Sequence, residues 1–195
     1  MRRGNGCHNY EAQAVRAALA LHRRALVRGW WGKVWSALTG NSHRLLSLAL
    51  VRDTCTVRGC CRVGIKTMPL RQIRGSEGRC DDFDIGFRPV QTHTRGRWLS
   101  VATACQLRVT LPPVELIQVG DIYFVRDGHH RISVARALGQ KYIEAEVTAW
   151  QVAGPLSKVT ANQRRLYPRL SSQPALADGE IPGPQTRRRR QPLCP

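Results

Sequence analysis

Helical spacing of apolar residues comes first along the chain, then alternation, and finally no pattern. From Tyr10 to Arg28 alanine, leucine and arginine dominate without Pro or Gly, and Val15, Leu19 and Leu26 fall on one stripe of a helix. The stretch "RGWWGKVWSALTG" then sets Trp31, Val34, Trp35 and Leu38 at helical spacing between Gly29 and Gly40. These side chains are expected to pack on a central domain rather than to stack nucleic-acid bases. Asn41 or Ser42 suits the N-cap of a further helix through "HRLLSLALVRD".

The middle of the chain reads differently. "TCTVRGCCRVG" is turn-like, and "IKTMPLRQI" predicts a short strand interrupted by Pro69, which suits an edge or a strand end. "RGSEGRCDDFDIGFRPVQTHTRG" predicts a long loop, and long ordered loops in a small domain usually serve function. "RWLSVATACQLR" places Trp98, Val101, Ala102 and Cys105 on one face of a helix. "LPPVELIQVGDIYFVRDG" gives two apolar runs around Val119-Gly120-Asp121, the signature of a hairpin. A helix from about His130 to Leu138, stopped by Gly139, leads into the strand "YIEAEVTAW". After Trp150 the periodicity fades and prolines accumulate, predicting a disordered tail.

Charge sharpens this division. Residues 1–65 carry 11 basic and 2 acidic side chains, residues 66–150 carry 12 and 9, and residues 151–195 carry 8 and 2. The centre is nearly balanced and the flanks are basic arms, ending in Arg187–Arg190. Such arms suit a polyanionic partner, DNA or RNA, through release of counterions. Seven cysteines with no secretory leader point to reduced thiols, and no run reaches the roughly 18 apolar residues of a membrane span, so the expectation is a cytoplasmic protein. Cys55, Cys60 and Cys61, with Cys7-His8 upstream, lack paired metal-knuckle spacing, so no metal site is expected. No GxxxxGK[ST] or GxSxG motif occurs.

The chemistry concentrates at "VRDGHHRISVARALG", where an alternating run stops and a helix begins. A helix N-terminus offers open backbone N–H groups and a positive dipole end, so phosphate is a natural guest. Gly128 would let the backbone approach a ligand, Arg131 would supply a guanidinium fork and Ser133 a hydroxyl in the first turn. His130 would follow through a ring N–H, with His129 beside it. A plain helix capped by Asp127, with Arg131 in solvent, is the competing reading.

The order of strand, long loop, helix, hairpin, "DGHHRISVARALG" and strand resembles the ParB N-terminal/sulfiredoxin-like superfamily over about residues 65–150. The resemblance implies an α+β domain with a small mixed sheet and flanking helices. A helical N-terminal extension (1–64) and the basic tail (151–195) would lie on either side. It further implies a bound nucleoside triphosphate, CTP or ATP with Mg2+, whose phosphates meet Gly128, His129, His130, Arg131 and Ser133. Departures narrow the activity. The reducing cysteine of sulfiredoxins falls here on His129, which excludes that chemistry. ParB proteins carry Gly-Glu-Arg-Arg-x-Arg where this chain has Gly128 to Ser133, so two arginines are missing, and no downstream helix-turn-helix is expected. Free-serine kinases are most similar at "DGHHR" and imply nucleotide hydrolysis or phosphoryl transfer with a carboxylate base. Glu77 is the first candidate, ahead of Asp81, Asp82 and Asp84, because Ser76-Glu77-Gly78-Arg79 also offers a second phosphate contact through Ser76 and Arg79. A non-catalytic nucleic-acid-binding module using the basic flanks and the same pocket is the alternative.

Overall fold

Two adjacent strands, Val114–Val119 and Ile122–Asp127, each bury apolar side chains on both faces because both sides of the sheet they centre are covered. In chain order the elements are α1 (Asn5–Thr39), β1 (Leu46–Ser47), α2 (Leu48–Thr54), β2 (Thr56–Pro69), β3 (Ile73–Ser76), α3 (Arg95–Gln106), β4 (Val114–Val119), β5 (Ile122–Asp127), α4 (His129–Ala137) and β6 (Tyr142–Ala153). This computed structural model describes residues 5–39 and 44–154, so most of the predicted tail, from 155 onward, lies outside the described residues. The protein is α+β, built on one six-stranded mixed sheet in the order β1-β3-β5-β4-β6-β2. The β4–β5 hairpin is antiparallel, as is β2–β6, whereas β3–β5, β4–β6 and β1–β3 are parallel.

Period-two alternation divides the side chains between the two faces. On one, Val114, Leu116, Val125 and Val147 meet Ile132 and Ala135 of α4 together with Phe83 and Phe87 of the long loop. On the other, Ile117, Val119, Ile122 and Phe124 pack on Leu48 and Val51 of α2. The Phe124 ring of β5 lies over its neighbour β3 so closely that a Cβ on Gly75 would stand 2.2 Å from it, which is why glycine occupies β3 there. A third cluster joins Ala18 and Ala25 of α1 to Trp98 and Ala102 of α3 and Val134 of α4.

Arg136 binds these parts together. Its guanidinium is partly buried, lies 4.8 Å from the centre of the Phe87 ring and donates to the carbonyls of Leu70, Ile73 and Ile85 at 2.6, 2.8 and 3.2 Å. Desolvation lowers its pKa from 12.5 to about 10, so it stays charged at neutral pH.

Several sequence expectations change here. The sheet starts at Leu46, so residues 46–64, read as part of the N-terminal extension, supply β1, α2 and most of β2. "TCTVRGCCRVG" is not a turn but the first part of edge strand β2, whose glycines sit at register shifts after Val57 and Arg62. The α1 stripe is also misplaced, since Val15 and Leu26 are exposed and the packed face consists of Ala14, Ala18, His22 and Ala25. Small side chains let α1 lie close to α3, and His22 meets the edge of the Trp98 ring at 5.0 Å. Trp31 and Leu38, expected to pack, are 62% and 76% exposed. The side chain of Trp35 lies outside the described residues.

Candidate functional site

The start of α4 is set by Gly128, whose φ of 97° and ψ of 19° turn the chain from β5 into the helix. No side chain caps this helix, so Asp127 is not its N-cap. Ile132 is the first residue whose N–H reaches back to the chain before it, bonding the Gly128 carbonyl at 3.0 Å. The amides of His129, His130 and Arg131 therefore have no intrahelical acceptor and form the positive end of the helix dipole.

Both histidines of this first turn are buried. The loop after β3 closes over them with Phe83, whose ring stacks on His129 at 5.9 Å and meets His130 edge-on at 5.3 Å. Ser76, at the end of β3, is fully buried and acts as a hub. Its hydroxyl oxygen accepts from the Arg79 N–H at 2.9 Å and the Gly78 N–H at 3.3 Å and lies 2.7 Å from His129 Nε2. With both lone pairs taken, the hydroxyl proton points to Nε2, which assigns His129 the neutral tautomer protonated at Nδ1.

Electrostatics keeps the pair neutral. Burial first, then the Arg79 guanidinium, lowers the His129 pKa from 6.5 to about 4. Burial, then Arg79 and Arg97, does the same for His130, again to about 4. Asp82 opposes both shifts but is itself engaged, lying 3.4 Å from Arg79 Nη1 and 3.3 Å from His93 Nε2. His130 Nδ1 is buried and has no hydrogen-bond partner among the described residues. An unsatisfied buried nitrogen costs about 1–3 kcal/mol unless something meets it.

The other expected contacts stand elsewhere. The Arg131 side chain, 14% exposed, folds back beneath the helix start and donates to the carbonyls of Pro112 and Pro113 at 2.5 and 2.8 Å and to Asp127 at 2.5 Å. It is not in solvent, and the cavity it borders lies with Pro112, Cys105 and Tyr142, away from the histidine pair. Ser133 faces α3, where its hydroxyl accepts from Trp98 Nε1 at 2.8 Å. Glu77 is clamped between Arg52 Nη2 at 2.6 Å and Arg126 Nε at 3.1 Å. Its carboxylate is therefore spent on two arginines rather than turned toward the histidines. The structure thus gathers Ser76, Arg79, Gly128, His129 and His130, and adds Phe83, Asp82, His93 and Arg97, of which only Asp82 stood out in sequence.

Among the described residues no cluster of three or more His, Cys, Asp or Glu side chains could hold a metal ion. None of the described helices is long and apolar enough to cross a membrane, which says nothing of a β-barrel.

No family model and no curated protein matches this sequence. Among solved structures the chain is similar to sulfiredoxin from Arabidopsis thaliana, at 19% identity and a TM-score of 0.33, over 51% of this chain and 97% of that one. No comparison supports the "DGHHR" branch.

Proposed function

We propose that the start of α4 binds a phosphate-bearing ligand of the nucleoside triphosphate class. The observation that carries this reading is the buried His130 Nδ1 without a partner, next to three amides that the helix leaves open. Neutral imidazoles suit the role, because each offers one N–H to a phosphate oxygen without the cost of burying a second cation. Arg79 and Arg97 supply the positive field. Phe83 closes the apolar side of the histidine pair.

If a nucleotide brings Mg2+, the ion supplies charge neutralisation to its phosphates, but the one loop carboxylate beside the histidines, Asp82, is already paired with Arg79 and His93, so these residues do not offer the ion a ready set of ligands. Both loop carboxylates are already paired, Glu77 with Arg52 and Arg126 and Asp82 with Arg79 and His93, so the reading is binding of the phosphates rather than their transfer. The alternative of a nucleic-acid-binding module uses the same amides and arginines toward a phosphodiester.

Isothermal titration of CTP, ATP and ADP with magnesium tests the reading on the wild type and on Arg79→Ala and His130→Ala. A charge-assisted contact contributes roughly 1.5–3 kcal/mol, so Arg79→Ala should weaken binding by about tenfold to a hundredfold. Wild-type protein that binds none of the three at millimolar concentration, yet shifts DNA with steep salt dependence, would replace this reading with the nucleic-acid one.

A further inference from the structure

Among the described residues, the outward side of α1 carries an apolar stripe that belongs to none of the core clusters. Val27, Trp30, Trp31, Val34 and Leu38 recur at intervals of three and four, on the side of the helix opposite Ala18, Ala25 and Gly29. Val27 is 56% exposed, Trp30 59%, Trp31 62% and Leu38 76%, and Val34 is half-buried. Over these three turns the stripe runs for about 17 Å at 1.5 Å per residue. The two indoles support each other edge-to-face at 5.2 Å.

We infer that this face docks the protein on an anionic lipid surface. Charge selects the partner. Between Asn5 and Thr39 the helix has Arg16, Arg23, Arg24, Arg28 and Lys33 against the single acid Glu11, and its four arginines are all exposed. Arg16 and Arg23 continue the line of the stripe toward the N-terminus, so a cationic segment leads into an apolar one on the same side. Indoles settle at headgroup depth and arginines reach lipid phosphates, the two contributions a surface-lying helix requires. A second copy of the chain is opposed by a net charge of +18 on each partner. Single-stranded nucleic acid would stack on Trp30 and Trp31 but offers no hydrocarbon to Val27, Val34 and Leu38.

Co-sedimentation of the full chain with phosphatidylcholine vesicles, and with mixed phosphatidylcholine–phosphatidylserine vesicles, tests the assignment. The wild type should bind the mixed vesicles, less so as salt rises, and leave the neutral ones in solution. Trp30→Ser/Trp31→Ser should lower the partition by tenfold or more with an unchanged circular dichroism spectrum, whereas Trp30→Phe/Trp31→Phe should retain most of it. The basic tail is present in every protein, so the difference between variants reads the helix face. Equal binding by the serine variant, or no binding to mixed vesicles, overturns the inference. So does a dimer in light scattering that the serine substitutions dissolve, or oligonucleotide binding that they weaken while vesicle binding stays absent. None of these outcomes depends on whether the α4 start binds a nucleotide.

Discussion

Replacing Gly128 by alanine adds one carbon atom at the most constrained point of the proposed site. Two costs can be worked from the geometry. The residue holds φ at 97°, outside what an L side chain adopts easily, and such strain costs about 1–3 kcal/mol. The new Cβ would also stand 2.5 Å from Val114 Cγ1 and 2.8 Å from Val114 Cβ, well inside the roughly 3.5–4.0 Å of a comfortable carbon contact. Val114 is fully buried in the sheet and has no room to retreat, so overpacking adds about 1–3 kcal/mol. Alanine recovers some 0.4–1 kcal/mol by restricting the unfolded chain. The net expectation is a loss of about 1–5 kcal/mol, a large part of the 5–15 kcal/mol typical of a domain. Urea unfolding of wild type, Gly128→Ala, Val114→Ala and the double variant separates the terms. Val114→Ala removes the Cγ1 clash but leaves the Cβ contact, so the cycle should return a favourable coupling of about 1–2 kcal/mol. A Gly128→Ala loss below about 1 kcal/mol, or no coupling to Val114, would refute the account of why glycine starts this helix.

Lowering pH should destabilise the fold between the unfolded-state histidine pKa of 6.5 and the folded value of about 4 for His129 and His130. In that window the unfolded chain binds more protons, so stability is full above 6.5 and falls as pH drops. Urea melts at neutral pH and near pH 4.5 should differ by roughly 3–5 kcal/mol, and the difference should shrink in His129→Asn/His130→Asn. Arg131→Lys cannot span two proline carbonyls and Asp127 at once, so unfolding should show a loss of about 1–3 kcal/mol. An unchanged midpoint would mean that Arg131 acts on ligand rather than on the fold. Deleting residues 184–195 removes the Arg187–Arg190 run and should weaken any DNA binding and flatten its salt slope; unchanged affinity would leave that run idle.

What the sequence made legible was whatever local chemistry decides. Gly120 and Gly139, both at positive φ, and the alternation of β4 and β5 gave the hairpin, α4 and β6 nearly residue for residue. The packed face of α1 escaped because close helix approach selects alanine over large apolar side chains, so a search for large residues finds the wrong side. β2 escaped because Gly59 and Gly64 read as turn signals, although they sit at irregularities of an edge strand. Within the site, the glycine and two histidines were visible because they adjoin one another. Phe83 and Arg97 were not, since only the folded loop and α3 bring them there. Arg131 and Ser133 were assigned to a ligand because sequence shows donors and acceptors but not the Pro112 carbonyl or the Trp98 indole that occupies them.

Arg136 has a consequence for how this fold tolerates change. One partly buried guanidinium fastens the carbonyls of residues 70 and 73, ahead of the loop, and of residue 85, near its middle. The loop is thus anchored on both sides of its tip, and the stretch between Glu77 and Asp82 hangs from fixed points. Single substitutions at Gly78, Arg79 and Asp82 should therefore leave the frame around α4 in register. Arg136→Met should unlink that division, so that a loop-tip substitution which is silent for stability in the parent becomes costly in the variant.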